Sequence, residues 1–239
     1  SCPDPSALGV TNITSASADL YWTTGGAANW NIENGTSGFT PGSGTMINSM
    51  NDTVNISSLS PNTTYDFYVR DSCGMGDVSA WVGPYSFATQ CSGITTLPYN
   101  ETFNSTSATT GCWSVIDANT DGDSWSINTS SSYVQEGDQS YRVYTDFNGG
   151  SNDDYLVSPA ITLTGNEQLK YWYRARSSSE PNDYEILIST TGNTPADFTT
   201  QLLRDTATST TYAERTIDLS AYSGVVYLSF HIPQGGLDG

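Results

Sequence analysis

The chain has 239 residues, 36% of them apolar, and carries 7 Lys plus Arg against 25 Asp plus Glu, a formal net charge of −18. That field repels phosphate backbones and anionic lipid and argues against nucleic-acid binding. No stretch approaches the roughly 20 apolar residues of a membrane helix, so membrane insertion is not expected.

Taken in chain order, the pattern is one of short alternating runs broken by Ser, Thr, Asn and Gly, without a helical period. In the first part the runs are residues 8–14, 18–23, 30–33, 53–59, 64–71 and 85–89. In the fifth, Tyr65, Phe67 and Val69 point one way and Asp66, Tyr68 and Arg70 the other, which is the signature of a strand with one buried face. Several such strands with closely spaced turns predict a sandwich. The 15 Tyr, 7 Phe and 6 Trp supply its core in place of aliphatics.

Trp22 in the second run and the segment Leu59-Ser-Pro61-Asn-Thr63-Thr-Tyr65 carry a resemblance. They are similar to the fibronectin type III pattern, in which a Leu-x-Pro-x-Thr-x-Tyr corner is closed by the tyrosine hydroxyl. The resemblance covers residues 1–91 and implies a fold, not a function. Residues 92–98 read as a short junction.

A longer β pattern follows at residues 99–103, 113–117, 125–128, 141–144, 154–158, 168–175, 184–190, 212–219 and 225–232. Nine runs exceed a second fibronectin-type module and suit two packed sheets. The stretches Pro98-Tyr99-Asn100-Glu101-Thr102-Phe103, Cys112-Trp113, Asp117 to Asp123 with Trp125, Asp153-Asp154-Tyr155-Leu156-Val157-Ser158-Pro159, and Ile217-Asp218-Leu219-Ser220 occur in an order that resembles the cleaved-adhesin and choice-of-anchor domains, relatives of the MAM jelly roll. This resemblance spans residues 94–239, and the domain it implies is 92–239. It implies an all-β chain: a fibronectin type III-like sandwich followed by a larger jelly-roll β-sandwich, the latter truncated before its last strand. It also implies a secreted or cell-surface protein of Bacteroidota, delivered by type IX secretion as a processed form.

Four cysteines without a CxxC or Cys/His spacing fit two disulfides in an oxidising compartment. In a sandwich of the fibronectin pattern, Cys2 and Cys73 share one pole, and Cys91 leaves from the other toward Cys112. The expected pairs are therefore Cys2–Cys73 and Cys91–Cys112. Alternating oxygen ligands with a turn glycine in Asp117-Ala-Asn119-Thr-Asp121-Gly122-Asp123 suit a hard cation, and a structural Ca²⁺ is expected there. Glu101 is a further ligand by resemblance. Asp and Asn also build such turns without metal. A second acidic loop runs from Asp146 to Asp154.

Trp30, Trp81, Trp125, Tyr133, Tyr141, Trp172 and Tyr173 are rings on which a sugar could stack, against the competing reading that most are core. Asp52-Thr53-Val54 and Asp205-Thr206-Ala207 resemble bacterial O-glycosylation triplets, which makes Thr53 and Thr206 candidate glycan sites. His231 stands alone in the sequence, and no nucleophile elbow, HExxH or phosphate loop occurs, so no enzyme is expected. The expected function is a non-catalytic adhesin segment that binds glycans or surface proteins and spaces a larger assembly. The alternatives are a carbohydrate-binding accessory of a secreted hydrolase or protease, and a structural filament repeat that self-associates with neighbouring modules. Peptide mapping of natively produced protein without reduction is expected to return linked Cys2–Cys73 and Cys91–Cys112 peptides. Any other linkage overturns the pairing.

Overall fold

The structure is a computed structural model describing residues 2–145 and 152–235. The loop expected from Asp146 onward therefore lies, for residues 146–151, outside the described residues. The chain divides into two compact units, Ser1–Ser92 and Gly93–Gly239. Both are built from β-strands, as the alternation predicts.

Unit 1 runs through β1 (Ser6–Thr11), β2 (Ser17–Thr23), β3 (Trp30–Thr36), β4 (Thr45–Ser49), β5 (Thr53–Ser57), β6 (Thr64–Gly74), β7 (Asp77–Val78) and β8 (Val82–Ala88). One sheet has the order β1-β2-β5. The other has the order β4-β3-β6-β7, with β8 also on β6. Ala18, Leu20, Trp22 and Ile56 from the first sheet meet Trp30, Ile32, Tyr65, Phe67, Val69 and Phe87 from the second in one core. The Trp22 and Trp30 rings stand edge to face, 5.9 Å apart. Phe67 and Val69 are fully buried, as the alternation of β6 requires. At the corner before β6 the Ser60 N–H donates to the Tyr65 hydroxyl at 2.9 Å.

The polar face of β6 departs from expectation, because Asp66 is buried as well. Its carboxylate accepts from Ser37, Ser86 and the Gly38 N–H. Glu33 likewise receives the Gly42 and Gly44 N–H groups, and Asp71 those of Gly25 and Ala27. Three buried carboxylates thus hold loops whose amides would otherwise lack partners, in charge-assisted bonds.

Unit 2 contains β9 (Ser114–Asp117), β10 (Ser126–Asn128), β11 (Ser140–Arg142), β12 (Asp154–Val157), β13 (Ile161–Leu163), β14 (Gln168–Tyr173), β15 (Asn182–Ser189), β16 (Thr200–Ala207), β17 (Ala213–Asp218) and β18 (Gly224–Ile232). The large sheet has the order β16-β15-β18-β12-β9, with β13 also on β18. Pairs β10-β11 and β14-β17 form two smaller sheets. Ile161, Leu163, Ile188, Leu219, Val226 and Leu228 make one apolar cluster. Tyr171, Tyr184, Ile186 and Ile232 belong to another.

Residues 99–103, expected as a strand, are not one. Glu101 turns back on its own segment to accept the Phe103 N–H at 2.7 Å, and Phe103 sits at φ 55°. Strands β4, β7, β13 and β16 have no counterpart among the expected runs. β4 and β16 are edge strands rich in Thr, Asn, Gln, Arg and Asp, which mask a period of two.

The Cys2–Cys73 disulfide is present, with Cα atoms 5.7 Å apart across 71 positions, and none of the described cysteines is free. Closing a loop of that size restricts the unfolded chain by about 4 kcal/mol in the chain-entropy account. A Cys2→Ser, Cys73→Ser double variant is expected to lose about 2–4 kcal/mol of unit 1 stability in urea melts. A change below about 0.5 kcal/mol would remove the disulfide from the list of stabilising features.

Candidate functional site

Unit 2 carries two places where polar or aromatic groups collect. The first lies at the ends of β9 and β12. Register sets Asp117 opposite Asp154, Tyr155 opposite His231, and Glu185 opposite His231. His231, isolated in the sequence, is thereby flanked by two carboxylates: Nδ1 lies 3.0 Å from Glu185 Oε2 and Nε2 lies 2.8 Å from Asp153 Oδ1. Its ring stacks on Tyr155 at 4.0 Å. Arg204 extends the network, donating to Glu185 and Asp183.

Asp154 is fully buried. One carboxylate oxygen accepts from Asn152 Nδ2 at 2.8 Å, while Oδ1 has no hydrogen-bond partner. Burial pushes its pKa up from 3.8 to about 6. The Asn152 bond opposes that shift, and the charges of Asp121, Asp117 and Asp153 add to it. Of the expected calcium ligands, Asp117 and Asp121 therefore stand near Asp154.

The loop itself is closed by internal bonds. Asp117 accepts the N–H groups of Thr120 at 2.7 Å and Gly122 at 3.0 Å. Asp121 accepts from Asn119 Nδ2 and from the Asp123 N–H. Glu101 is engaged elsewhere, among Tyr99, Thr109 and Thr110. Burial pushes the Glu101 carboxyl up, but bonds from Thr109, Ser107, the Phe103 N–H and Tyr99 outweigh it and hold the group below its ordinary value. Among the described residues no three His, Cys, Asp or Glu side chains form a ready-made metal cage. The fit to a hard cation rests on oxygen-only donors and the orphaned Asp154 oxygen.

The second place is a cleft of about 750 Å³ bordered by β14, β11 and the segment 99–103. Its floor is a chain of ring contacts: Tyr141 to Phe103 at 4.9 Å, Phe103 to Trp113 at 5.1 Å, Trp113 to Phe230 at 6.2 Å, and Phe230 to Tyr171 at 5.1 Å. Four of the chain's seven cations, Arg142, Lys170, Arg174 and Arg176, line it. Lys170 pairs with Glu214. Arg174 lies 4.9 Å above Tyr133 and 5.8 Å from Tyr212. Arg142 and Arg176 sit 4.7 and 6.0 Å from one ring, Tyr144. Among the described residues none of these three arginines forms an ion pair.

Of the rings singled out in the sequence, Trp30 is buried in the core of unit 1, because β3 turns it inward against Trp22. Trp81 lies under Arg70 at 4.5 Å, and Trp125 donates its indole N–H to the Asp154 carbonyl. Tyr133 and Trp172 remain exposed, at 39% and 49%. Thr53 is exposed, and Thr206 donates its hydroxyl to Asp183. Arg142, Tyr144, Arg174 and Arg176 went unnoticed in the sequence. The scarcity of cations in so acidic a chain was the signal that could have found them.

Comparison with known proteins gives a consistent picture. Residues 96–233 match the family model described as Cleaved Adhesin Domain. Hemagglutinin A of Porphyromonas gingivalis is 35% identical over 161 residues, covering 56% of this chain and 7% of that protein. Gingipain R1 of the same species is 27% identical over 138 residues, covering 49% of this chain and 8% of that protein. The chain thus spans less than a tenth of the length of these relatives. The solved K1 cleaved adhesin domain of Lys-gingipain shares 25% identity at a TM-score of 0.46, over 53% of this chain and 83% of that one.

The buried Asp154 gives a pH prediction. The unfolded chain releases this proton near 3.8, whereas the native protein keeps it to about 6. The native state therefore binds more protons between these values, and stability falls as pH rises through that window and levels off above it. With a chelator present, Asp154→Asn is expected to exceed the parent by up to about 3 kcal/mol above pH 6, the gap closing toward pH 4. Urea melts across this range measure it. A gap that does not change with pH refutes the assignment.

Proposed function

The chain belongs to the Cleaved Adhesin Domain family, and from that premise we propose that it is a non-catalytic segment of a larger secreted or cell-surface adhesin. The observation that carries this reading is the family match across unit 2, joined to 35% identity with a protein named for hemagglutination. In this reading unit 1 is a fibronectin type III-like spacer and unit 2 a jelly roll that does the recognising, through its ring-lined cleft. The partners are glycans or proteins of a cell surface. Exposed Tyr133 and Trp172, with Arg142, Arg174 and Arg176, which form no ion pair among the described residues, supply stacking and charge in a water-facing concavity.

Structural calcium at the Asp117–Asp123 loop is part of the same proposal. Asp117, Asp121 and Asp154 would hold the ion, with Asn119 and Asp123 at its edge, after the Asp117 side chain gives up its two backbone N–H bonds. Its contribution would be to neutralise three neighbouring carboxylates and fix the loop.

Labelled chain is expected to be retained saturably on erythrocytes, and a Trp172→Ala, Arg174→Gln variant to be retained at least about fivefold less. Retention that the variant leaves unchanged would move recognition away from the cleft. Calcium at a hundredfold excess over its Kd is expected to stabilise the chain by about 2.7 kcal/mol, an increment absent in Asp121→Ala. Equal melting with calcium and with chelator would remove the metal from the proposal.

A further inference from the structure

We infer that unit 1 carries a ligand site of its own: the outer face of its β4-β3-β6 layer takes a carboxylate-bearing saccharide on Arg70, Asn31 and Asn48. This goes beyond the proposed function, which gives unit 1 the part of a spacer, and it does not depend on the cleft of unit 2.

Alternation places the three residues together. Ile32, Ile47 and Val69 pack in the core of unit 1, so their neighbours Asn31, Asn48 and Arg70 project from the opposite face. Register sets Asn31 opposite Asn48 on one side and opposite Arg70 on the other. The result is a row across three strands, continued by Trp81, whose ring lies 4.5 Å from the Arg70 guanidinium carbon. A groove lined by Asn29, Asn31, Asn48, Ser49, Met50 and Ser72 adjoins the row, and no charged residue borders it.

The direction of hydrogen bonding along the row is forced. A guanidinium N–H only donates, so the Asn31 oxygen must face Arg70, and the Arg70 Nε–H donates to it at 3.0 Å. That turns the Asn31 Nδ2 toward Asn48, whose oxygen accepts from it at 2.7 Å. Both amide oxygens are therefore engaged within the row. The groups left over are donors: the Asn48 Nδ2, one Asn31 N–H and the Nη groups of Arg70. Such a set recognises acceptors, and its guanidinium end matches a carboxylate in bidentate form.

Arg70 is the only Lys or Arg among residues 1–92, where Asp and Glu occur seven times. It nevertheless forms no ion pair among the described residues. Two acids on its own face are committed to other groups. Glu33 accepts the Gly42 and Gly44 N–H groups, and Asp66 accepts from Ser37, Ser86 and the Gly38 N–H. Exposed charges beyond the Debye length of about 8 Å are screened, whereas a carboxylate in contact with Arg70 is not. β3 and β6 are interior strands, so a peptide would find no open ladder here. Side-chain donors repeated at the strand spacing of about 4.8 Å suit instead the carboxylate and hydroxyls of successive sugar rings.

The test titrates the ¹⁵N-labelled full chain with digalacturonate and follows the side-chain N–H signals of Asn31, Asn48, Arg70 and Trp81. Saturable shifts of these signals at millimolar Kd are expected. Galactobiose, which has the same rings with each carboxylate replaced by a hydroxymethyl group, is expected to bind at least about fivefold more weakly. Asn48→Asp keeps the oxygen that accepts from Asn31 and exchanges the free N–H donor for an acceptor. It is expected to weaken digalacturonate at least about fivefold with the backbone spectrum retained, as is Arg70→Gln. The Trp172→Ala, Arg174→Gln variant of unit 2 is expected to bind digalacturonate as the parent does, whether or not it is retained on erythrocytes. Equal binding of galactobiose, unchanged affinity in Asn48→Asp, or loss of digalacturonate binding in the unit 2 variant overturns the inference. So does an Ala-Asp-Ala-Ala peptide that displaces digalacturonate at equal concentration, because the carboxylate would then be recognised without its sugar.

Discussion

Strand β18 is bonded along both edges, to β15 on one side and to β12 and β13 on the other, and the architecture of unit 2 depends on that double ladder. With both edges used, its register cannot slip without breaking three pairings at once, and a one-residue slip would exchange its two faces. Those faces carry different chemistry. Val226, Leu228 and Ile232 enter the apolar clusters, while His231 and Ser229 point the other way and are buried too. The same ladder that seals the core therefore sets His231 between Glu185 and Asp153 and lays Asp154 beside Asp117.

Buried carboxylates serve opposite purposes in the two units. In unit 1 Glu33, Asp66 and Asp71 each receive backbone N–H groups from glycine-rich loops, so the desolvation of charge is offset by bonds that also anchor those loops. In unit 2 Asp154 accepts no backbone N–H but the side-chain amide of Asn152, and its Oδ1, bare like the Oδ1 of Asp71, lies among like charges. The first arrangement stabilises what is already formed. The second is under strain as an anion and is relieved by a proton or by a cation.

Charge distribution links fold and function in a similar way. Against 25 acids the chain has seven cations, and four border one cleft. Arg204 and Arg215 are tied to neighbouring carboxylates in β15 and β16. The arginines on tyrosine faces are held by neutral acceptors instead: Arg142 donates to the Tyr144 hydroxyl, and Arg174 to the Ser132 and Ala175 carbonyls. The same cleft is lined by Glu101, Glu136, Glu180 and Glu214, so within a strongly acidic chain it is a place where the two signs of charge balance.

Period-two alternation was enough to establish an all-β chain, and it located β2, β6, β12, β14, β15 and β18, because a strand with apolar residues on one side writes that face into the sequence. The Leu59 to Tyr65 corner and the Cys2–Cys73 pair were legible for a related reason: turn geometry and cystine reach restrict the residue types that can stand there. The Asp117–Asp123 turn was legible as a turn. Edge strands β4 and β16 were not, since polar residues on both faces erase the period, and residues 99–103 lost their strand to local bonding by Glu101. The surroundings of His231 and Asp154, and the gathering of Arg142, Arg174 and Arg176 at one cleft, were decided only by the tertiary structure. Their neighbours lie tens of residues apart and are brought together by ladder register, which depends on how whole strands align and leaves no mark in any one segment.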